Sequence, residues 1–166
     1  MNWIYKNNIT NTVRFTLGEY NCVTDKTLIC VGINPSTATP DNLDPTLRKV
    51  KSIAIYHNYA NWIMVNVYPQ RATNPNDLHL KFNEQLHSDN VNEIRNLLTT
   101  FNKTDILFAY GNLINKRPYL ITCLNDILSA INSVKFAGQK FCIKRTVKGN
   151  PVHPLYQKVD VPFIPY

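Results

Sequence analysis

Thr27-Leu28-Ile29-Cys30-Val31-Gly32-Ile33 is the stretch on which the fold turns. It is an unbroken apolar run rich in β-branched residues, with polar sequence on either side. A strand with one wet face alternates apolar and polar residues, whereas one buried on both faces does not. Asn61 to Val67 (NWIMVNV) and Asp105 to Tyr110 (DILFAY) have the same character, and Lys140 to Lys144 (KFCIK) reads as a fourth strand.

The segments between these strands have a helical period. Leu47, Val50, Ile53 and Ala54 recur on one face after Pro45, with Asp44 placed to cap the first turn. Val91, Ile94, Leu97, Leu98 and Phe101 make a second apolar stripe, and Leu120, Cys123, Leu124, Ile127 and Leu128 a third. Upstream, Val13, Phe15 and Leu17 alternate with polar residues over Thr12 to Leu17, which suggests a strand. Gly18-Glu19-Tyr20-Asn21 reads as a turn after it. From Pro151 the chain is rich in proline and aromatic residues and is expected to wrap the surface. Buried strands alternating with helices predict an α/β fold, a three-layer α/β/α arrangement around a central four-stranded parallel sheet. At 166 residues without repeats or linkers, a single domain spanning 1–166 is expected.

Composition narrows the setting. No uncharged apolar run is long enough to cross a bilayer, and the first residues lack the order of a secretory signal. Cys22, Cys30, Cys123 and Cys142 form no Cys-x-x-Cys pair, and no His stands at metal-ligand spacing from them. Reduced core thiols, no metal and a cytoplasmic location are the expectations. The net charge is +7. Val134 to Lys158 contributes Lys135, Lys140, Lys144, Arg145, Lys148 and Lys158 without an acidic residue, and Arg48, Lys49 and Lys51 form a second cluster. A polyanionic partner is the natural reading, because neutralising phosphates releases counterions. The alternative is an ordinary lysine-rich protein.

Ligands of open α/β sheets bind beyond the carboxyl ends of the strands. Here those ends carry Gly32-Ile33-Asn34-Pro35-Ser36-Thr37, Asn66-Val67-Tyr68-Pro69-Gln70-Arg71, Gly111-Asn112, and Gly149-Asn150-Pro151-Val152-His153-Pro154-Leu155-Tyr156. The four segments should converge on one edge. Asn34, held extended before proline, either points its amide into a cleft or caps a turn. Ser36 and Thr37 either donate to phosphate or start a turn. Asn66 ends a buried strand, where an amide needs partners, and either reads a base edge or satisfies a loop. Arg71 meets phosphate, a carboxylate or solvent. His153, between prolines, either serves a developing anion or packs in its loop. Asp44 is either a helix N-cap or a carboxylate near the site, and the cap alone explains it.

The order of these motifs resembles that of the uracil-DNA glycosylase superfamily. Gly32-Ile33-Asn34-Pro35-Ser36 resembles the first motif of its mismatch-specific branch, and His153-Pro154-Leu155-Tyr156 its last. Asn66 resembles the asparagine that reads the flipped base, and Leu107 to Gly111 the strand between these motifs. The pattern is most similar to the domain-of-unknown-function family 1643. Its elements match Asn34 to Ala38, Asp44 to Thr46, Asn66, Arg71 to Thr73 and His153 to Tyr156.

The resemblance implies a DNA glycosylase that flips uracil or a modified pyrimidine from the stack and cleaves its N-glycosidic bond with water. Asn34 would position the water, and His153 would donate to the base oxygen. Asn66 would read the base edge, with Tyr68, Phe108 or Tyr156 stacking on the ring. Ser36, Thr37, Arg71 and Lys148 would hold phosphates. No cofactor is implied. The efficient branches carry Asp or Glu at the position of Asn34, so slow turnover in base-excision repair is expected. The partner would be single- or double-stranded DNA, or an acidic protein that mimics DNA, and the chain would act as a monomer. The alternative functions are a non-catalytic nucleic-acid-binding module and a small-molecule nucleoside or nucleotide enzyme using the same cleft.

Overall fold

The computed structural model describes residues Met1–Tyr166. Along the chain run β1 (Asn2–Asn7), β2 (Arg14–Tyr20), β3 (Thr27–Gly32), α1 (Pro45–Tyr56), β4 (Asn61–Asn66), α2 (Glu84–Thr100), β5 (Thr104–Phe108), α3 (Pro118–Ser133), β6 (Lys140–Cys142) and β7 (Ile164–Pro165). All strands join one sheet in the order β1-β2-β4-β3-β5-β6-β7. The sheet is therefore seven-stranded and mixed, not the four-stranded parallel sheet expected. β4, β3, β5 and β6 run parallel in its middle, β2 and β7 flank them antiparallel, and β1 pairs antiparallel with β2 at the edge.

The added strands escaped notice for physical reasons. In β1 every residue is exposed or half-buried, so no apolar pattern marks it. β7 is two residues long and carries a proline, as edge strands tolerate. β2 runs on through Gly18 and Glu19, which were expected to turn. Gly18 pairs with Ile63, and a Cβ on it would lie 2.3 Å from the Trp62 carbonyl oxygen. That glycine marks a close crossing of strands.

The two faces of the sheet have separate cores, because successive strand residues point opposite ways. Ile29, Val31, Ile63, Val65, Ile106 and Phe108 pack with α2 and α3 on one face. Leu28, Cys30, Trp62, Met64 and Leu107 pack against Leu47, Val50, Ile53 and Ala54 of α1 on the other. Each fully buried Val, Leu or Ile contributes roughly 1.5–3 kcal/mol, and this stripe is the face by which α1 is held to the sheet. Cys30, Cys123 and Cys142 are buried free thiols. No helix is long and apolar enough to cross a membrane.

Helices on opposite faces have a consequence for position. From β3 the chain crosses to β4 through α1, then returns past β3 to β5 through α2. The strand order reverses around β3, and crevices in such sheets open beyond the carboxyl ends at that point.

Candidate functional site

Gly32 and Asn66 end β3 and β4 side by side in parallel register. A cavity of about 150 Å3 opens beyond them. It is lined by Ile33, Asn34 and Ser36 after β3, by Asn66 at the end of β4 with Ala72 and Thr73 beyond it, by Leu113 just past Gly111-Asn112 after β5, and by His153 after β6. The expected convergence is thus realised. Asp44 and Thr46 at the start of α1 and Arg14 from β2 complete the polar wall. A cavity of about 150 Å3 is the size that admits one six-membered ring. Two other depressions, along His79–Glu84 and between α2 and α3, are wider surface grooves without this convergence.

Asn66 is the most unusual group in the wall. It is 0% exposed, yet neither its Oδ1 nor its Nδ2 has a hydrogen-bond partner. An unsatisfied buried polar group costs about 1–3 kcal/mol. The strand end that carries it is firmly held, since Asn90 of α2 donates to the Asn66 carbonyl at 2.9 Å. Space beside the amide depends on Gly32. A Cβ there would lie 3.0 Å from Asn66 Oδ1 and 2.4 Å from the Met64 methyl.

Asn34 is oriented by its own loop. Its Nδ2 donates to the carbonyls of Ala72 at 2.7 Å and Pro35 at 3.1 Å, which leaves Oδ1 as the end it can offer. His153 is half-buried, and its Nδ1 accepts from the Leu155 amide at 3.4 Å, so the neutral ring carries its proton on Nε2. Burial lowers the His153 pKa, while the nearby Asp44 carboxylate pulls the other way. The wall therefore holds a neutral imidazole donor at neutral pH.

Asp44 caps α1, as its spacing implied, with Oδ1 accepting from the Leu47 amide at 2.9 Å. It also lines the cavity. Arg14 is 1% exposed and donates through Nη1 to the Ala38 carbonyl at 3.1 Å, while its Nε has no partner. Burial first, and Arg71 second, push its pKa down to about 10. No group of three His, Cys, Asp or Glu side chains lies close enough together to hold a metal ion.

Asn34, Ser36, Asn66 and His153 thus share the cavity, and the other expected site residues lie elsewhere. Tyr68 is wholly buried, its hydroxyl 2.9 Å from His79 Nδ1. Phe108 is buried and stacks on Tyr166 at 3.9 Å between ring centres. Both tyrosine and phenylalanine rings are enclosed because they stand on the face of the sheet that α2 and α3 cover. Tyr156 is 87% exposed on a short turn of 3-10 helix. Arg71 donates to the carbonyls of Ser36 and Ala38 and to the Tyr5 hydroxyl, so it braces the loop after β3. Thr37 is exposed outside the cavity. Lys148 is exposed on the turn between β6 and His153.

That turn is a hairpin in which Arg145 pairs with Pro151. Thr146 Oγ1 and Asn150 Nδ2 both reach Asn112 Oδ1, at 2.8 and 3.0 Å, tying the hairpin to the segment after β5. Lys144, Arg145 and Lys148 are exposed on it, next in sequence to the cavity-lining His153.

Sequence inspection missed Arg14 and undervalued Asp44. Alternation placed Val13, Phe15 and Leu17 inward, yet Arg14 and Thr16 are buried and Phe15 is half-exposed. The available signal was an arginine inside a β-pattern, which needs a reason to be there.

No curated protein and no solved structure matches the chain. One family model does, over residues 14–155, a span that takes in every residue lining the cavity. The chain belongs to the DUF1643 family, described as proteins of unknown function.

Proposed function

We propose that this chain is a base-excising DNA glycosylase of the uracil-DNA glycosylase superfamily, acting on uracil or a modified pyrimidine. The observation that carries the proposal is the buried, wholly unpartnered amide of Asn66 beside a cavity the size of one six-membered ring. A donor and an acceptor side by side match the paired donor and acceptor on a pyrimidine's Watson–Crick edge. Hydrogen bonds from a bound base would offset the desolvation cost of that amide.

The remaining wall suits hydrolysis of the bond to that base. A flipped nucleotide enters the cavity at a cost of a few kcal/mol. Asn34 Oδ1 accepts a hydrogen bond from the attacking water. The neutral His153 ring donates to the base oxygen as negative charge grows on the leaving base, a preorganised donor of the kind that stabilises developing anions. Lys144, Arg145 and Lys148 on the neighbouring hairpin supply the positive surface that DNA needs. A cavity at the carboxyl ends of helix-covered parallel strands supports this reading.

The test incubates the protein with labelled single- and double-stranded oligonucleotides carrying uracil or a modified pyrimidine, then cleaves abasic sites with alkali. Cleavage by wild type, lost in the Asn34→Ala, His153→Ala double variant, is the expected result. Salt-sensitive DNA binding without cleavage would instead favour a non-catalytic binding module on the same fold. Absence of both cleavage and binding would sink the nucleic-acid reading.

A further inference from the structure

Asn34 accepts and orients, but an amide takes no proton at neutral pH. A glycosylase wall built only from Asn34, Asn66 and His153 therefore holds no base for the water. One carboxylate does line the same cavity. Asp44 uses Oδ1 to cap α1 at Leu47, while its Oδ2 has no hydrogen bond or ion pair with any protein group.

We propose that Asp44 is the catalytic carboxylate of this cavity, with Oδ1 fixed on the α1 amide and Oδ2 taking the proton of the water that attacks C1′. This rests on the glycosylase reading and deepens it. A second observation marks the place as a ligand site rather than a helix end alone. The unpartnered Asn66 amide, 0% exposed, lines the same cavity, as does Arg14 with its buried, unpartnered Nε.

Capping by itself does not call for a charge. Asn and Ser cap helices as well as Asp does. In this chain α2 is capped by Asn83, whose Oδ1 accepts from the Leu86 amide at 3.0 Å. What Asp adds at position 44 is a negative charge, placed where both His153 and Arg14 feel it. Capping also locks the rotamer. With Oδ1 fixed on Leu47, Oδ2 is held in one position for a reacting water, with little entropy left to lose.

The step balances as follows. The C1′–N bond breaks with its electron pair leaving on the base, whose oxygen accepts the His153 N–H. Positive charge develops on the sugar ring, and the Asp44 carboxylate opposes it electrostatically. The water oxygen bonds to C1′, its proton passes to Asp44 Oδ2, and that proton returns to solvent. The departed base then takes a proton from solvent.

Asp44→Asn separates the charge from the cap, because an asparagine oxygen still accepts from the Leu47 amide. In the alkali-cleavage assay its excision rate should fall about 10²–10⁴-fold, the range that general bases contribute. Its melting temperature and its affinity for the uracil oligonucleotide should stay at wild-type values. Sodium formate should restore part of the rate to Asp44→Ala by placing a free carboxylate in the vacated space. A wild-type rate in Asp44→Asn, with wild type itself excising base, overturns the role of Asp44 and leaves the glycosylase reading standing. If wild type excises nothing across the series, the glycosylase reading falls and the role of Asp44 falls with it.

Discussion

β4 begins and ends with the same residue type, and its two ends behave as opposites. Asn61 and Asn66 are both 0% exposed. Asn61 Oδ1 accepts from the Asn21 amide at 2.8 Å, and its Nδ2 donates to the Cys22 carbonyl at 2.7 Å and Thr27 Oγ1 at 2.9 Å. Its amide stitches the β2–β3 loop to the amino end of the sheet. Asn66, at the carboxyl end, bonds to nothing through its side chain. Burial alone does not separate the two, and neither does local sequence, since each adjoins an apolar run. Accounting for partners does: Asn61 is satisfied by the fold, whereas Asn66 has no partner in the protein and needs a separate explanation, which the proposed base contact supplies.

The sharpest attempt to break this contrast is a pair of alanine variants followed by urea denaturation. Asn61→Ala should lose about 2–4 kcal/mol, because it removes hydrogen bonds to the Asn21 amide, the Cys22 carbonyl and the buried Thr27 hydroxyl. Asn66→Ala removes a group already unsatisfied, so its stability should change by less than about 1 kcal/mol or rise. Equal losses at both ends would mean that Asn66 is structural after all. The same Asn66→Ala protein should excise base about 10- to 100-fold more slowly, the effect expected from one lost two-point base contact. Stability and activity would then part company at one end of the strand and not at the other.

A smaller effect tests the burial of the second cavity group. An exposed histidine titrates near 6.5, and burial lowers the pKa of His153 in the folded chain. Below about pH 6.5 the unfolded chain therefore binds a proton that the folded chain resists. Stability should fall as pH drops through that value and level off once folded His153 also protonates. His153→Gln should flatten this part of the curve. Parallel wild-type and variant curves between about pH 7 and 5 would show that His153 is well solvated.

The smallest expected effect concerns the hairpin beside the cavity. Lys148→Ala should weaken DNA binding slightly and lower the slope of log affinity against log salt by about 0.9, as loss of one phosphate contact does. An unchanged slope would place DNA away from this hairpin.

Several features were legible because one local cause decides each. Unbroken apolar runs specified the parallel strands β3, β4 and β5, and a 3.6-residue stripe behind Asp44-Pro45 specified α1 with its cap. Strand ends then pointed to Asn34, Ser36, Asn66 and His153, since any parallel sheet gathers those ends on one edge. Tyr68 and Phe108 were harder. Both lie at the same strand ends, but the turn of the backbone directs each ring into the helix-covered core, and pattern does not report that direction.

By itself, then, the sequence determined the alternation of strands and helices, the helix cap at Asp44 and the edge at which the cavity opens. All of these follow from periodicity and spacing within a few turns of chain. Only the tertiary structure decided that β1, β2 and β7 extend the sheet, that Arg14 from β2 reaches a cavity lined by Asp44, and that Asn61 finds partners where Asn66 does not. Hydrogen-bond satisfaction is the reason for the difference. It depends on which groups from distant segments arrive within about 3 Å, and no local pattern encodes that arrival.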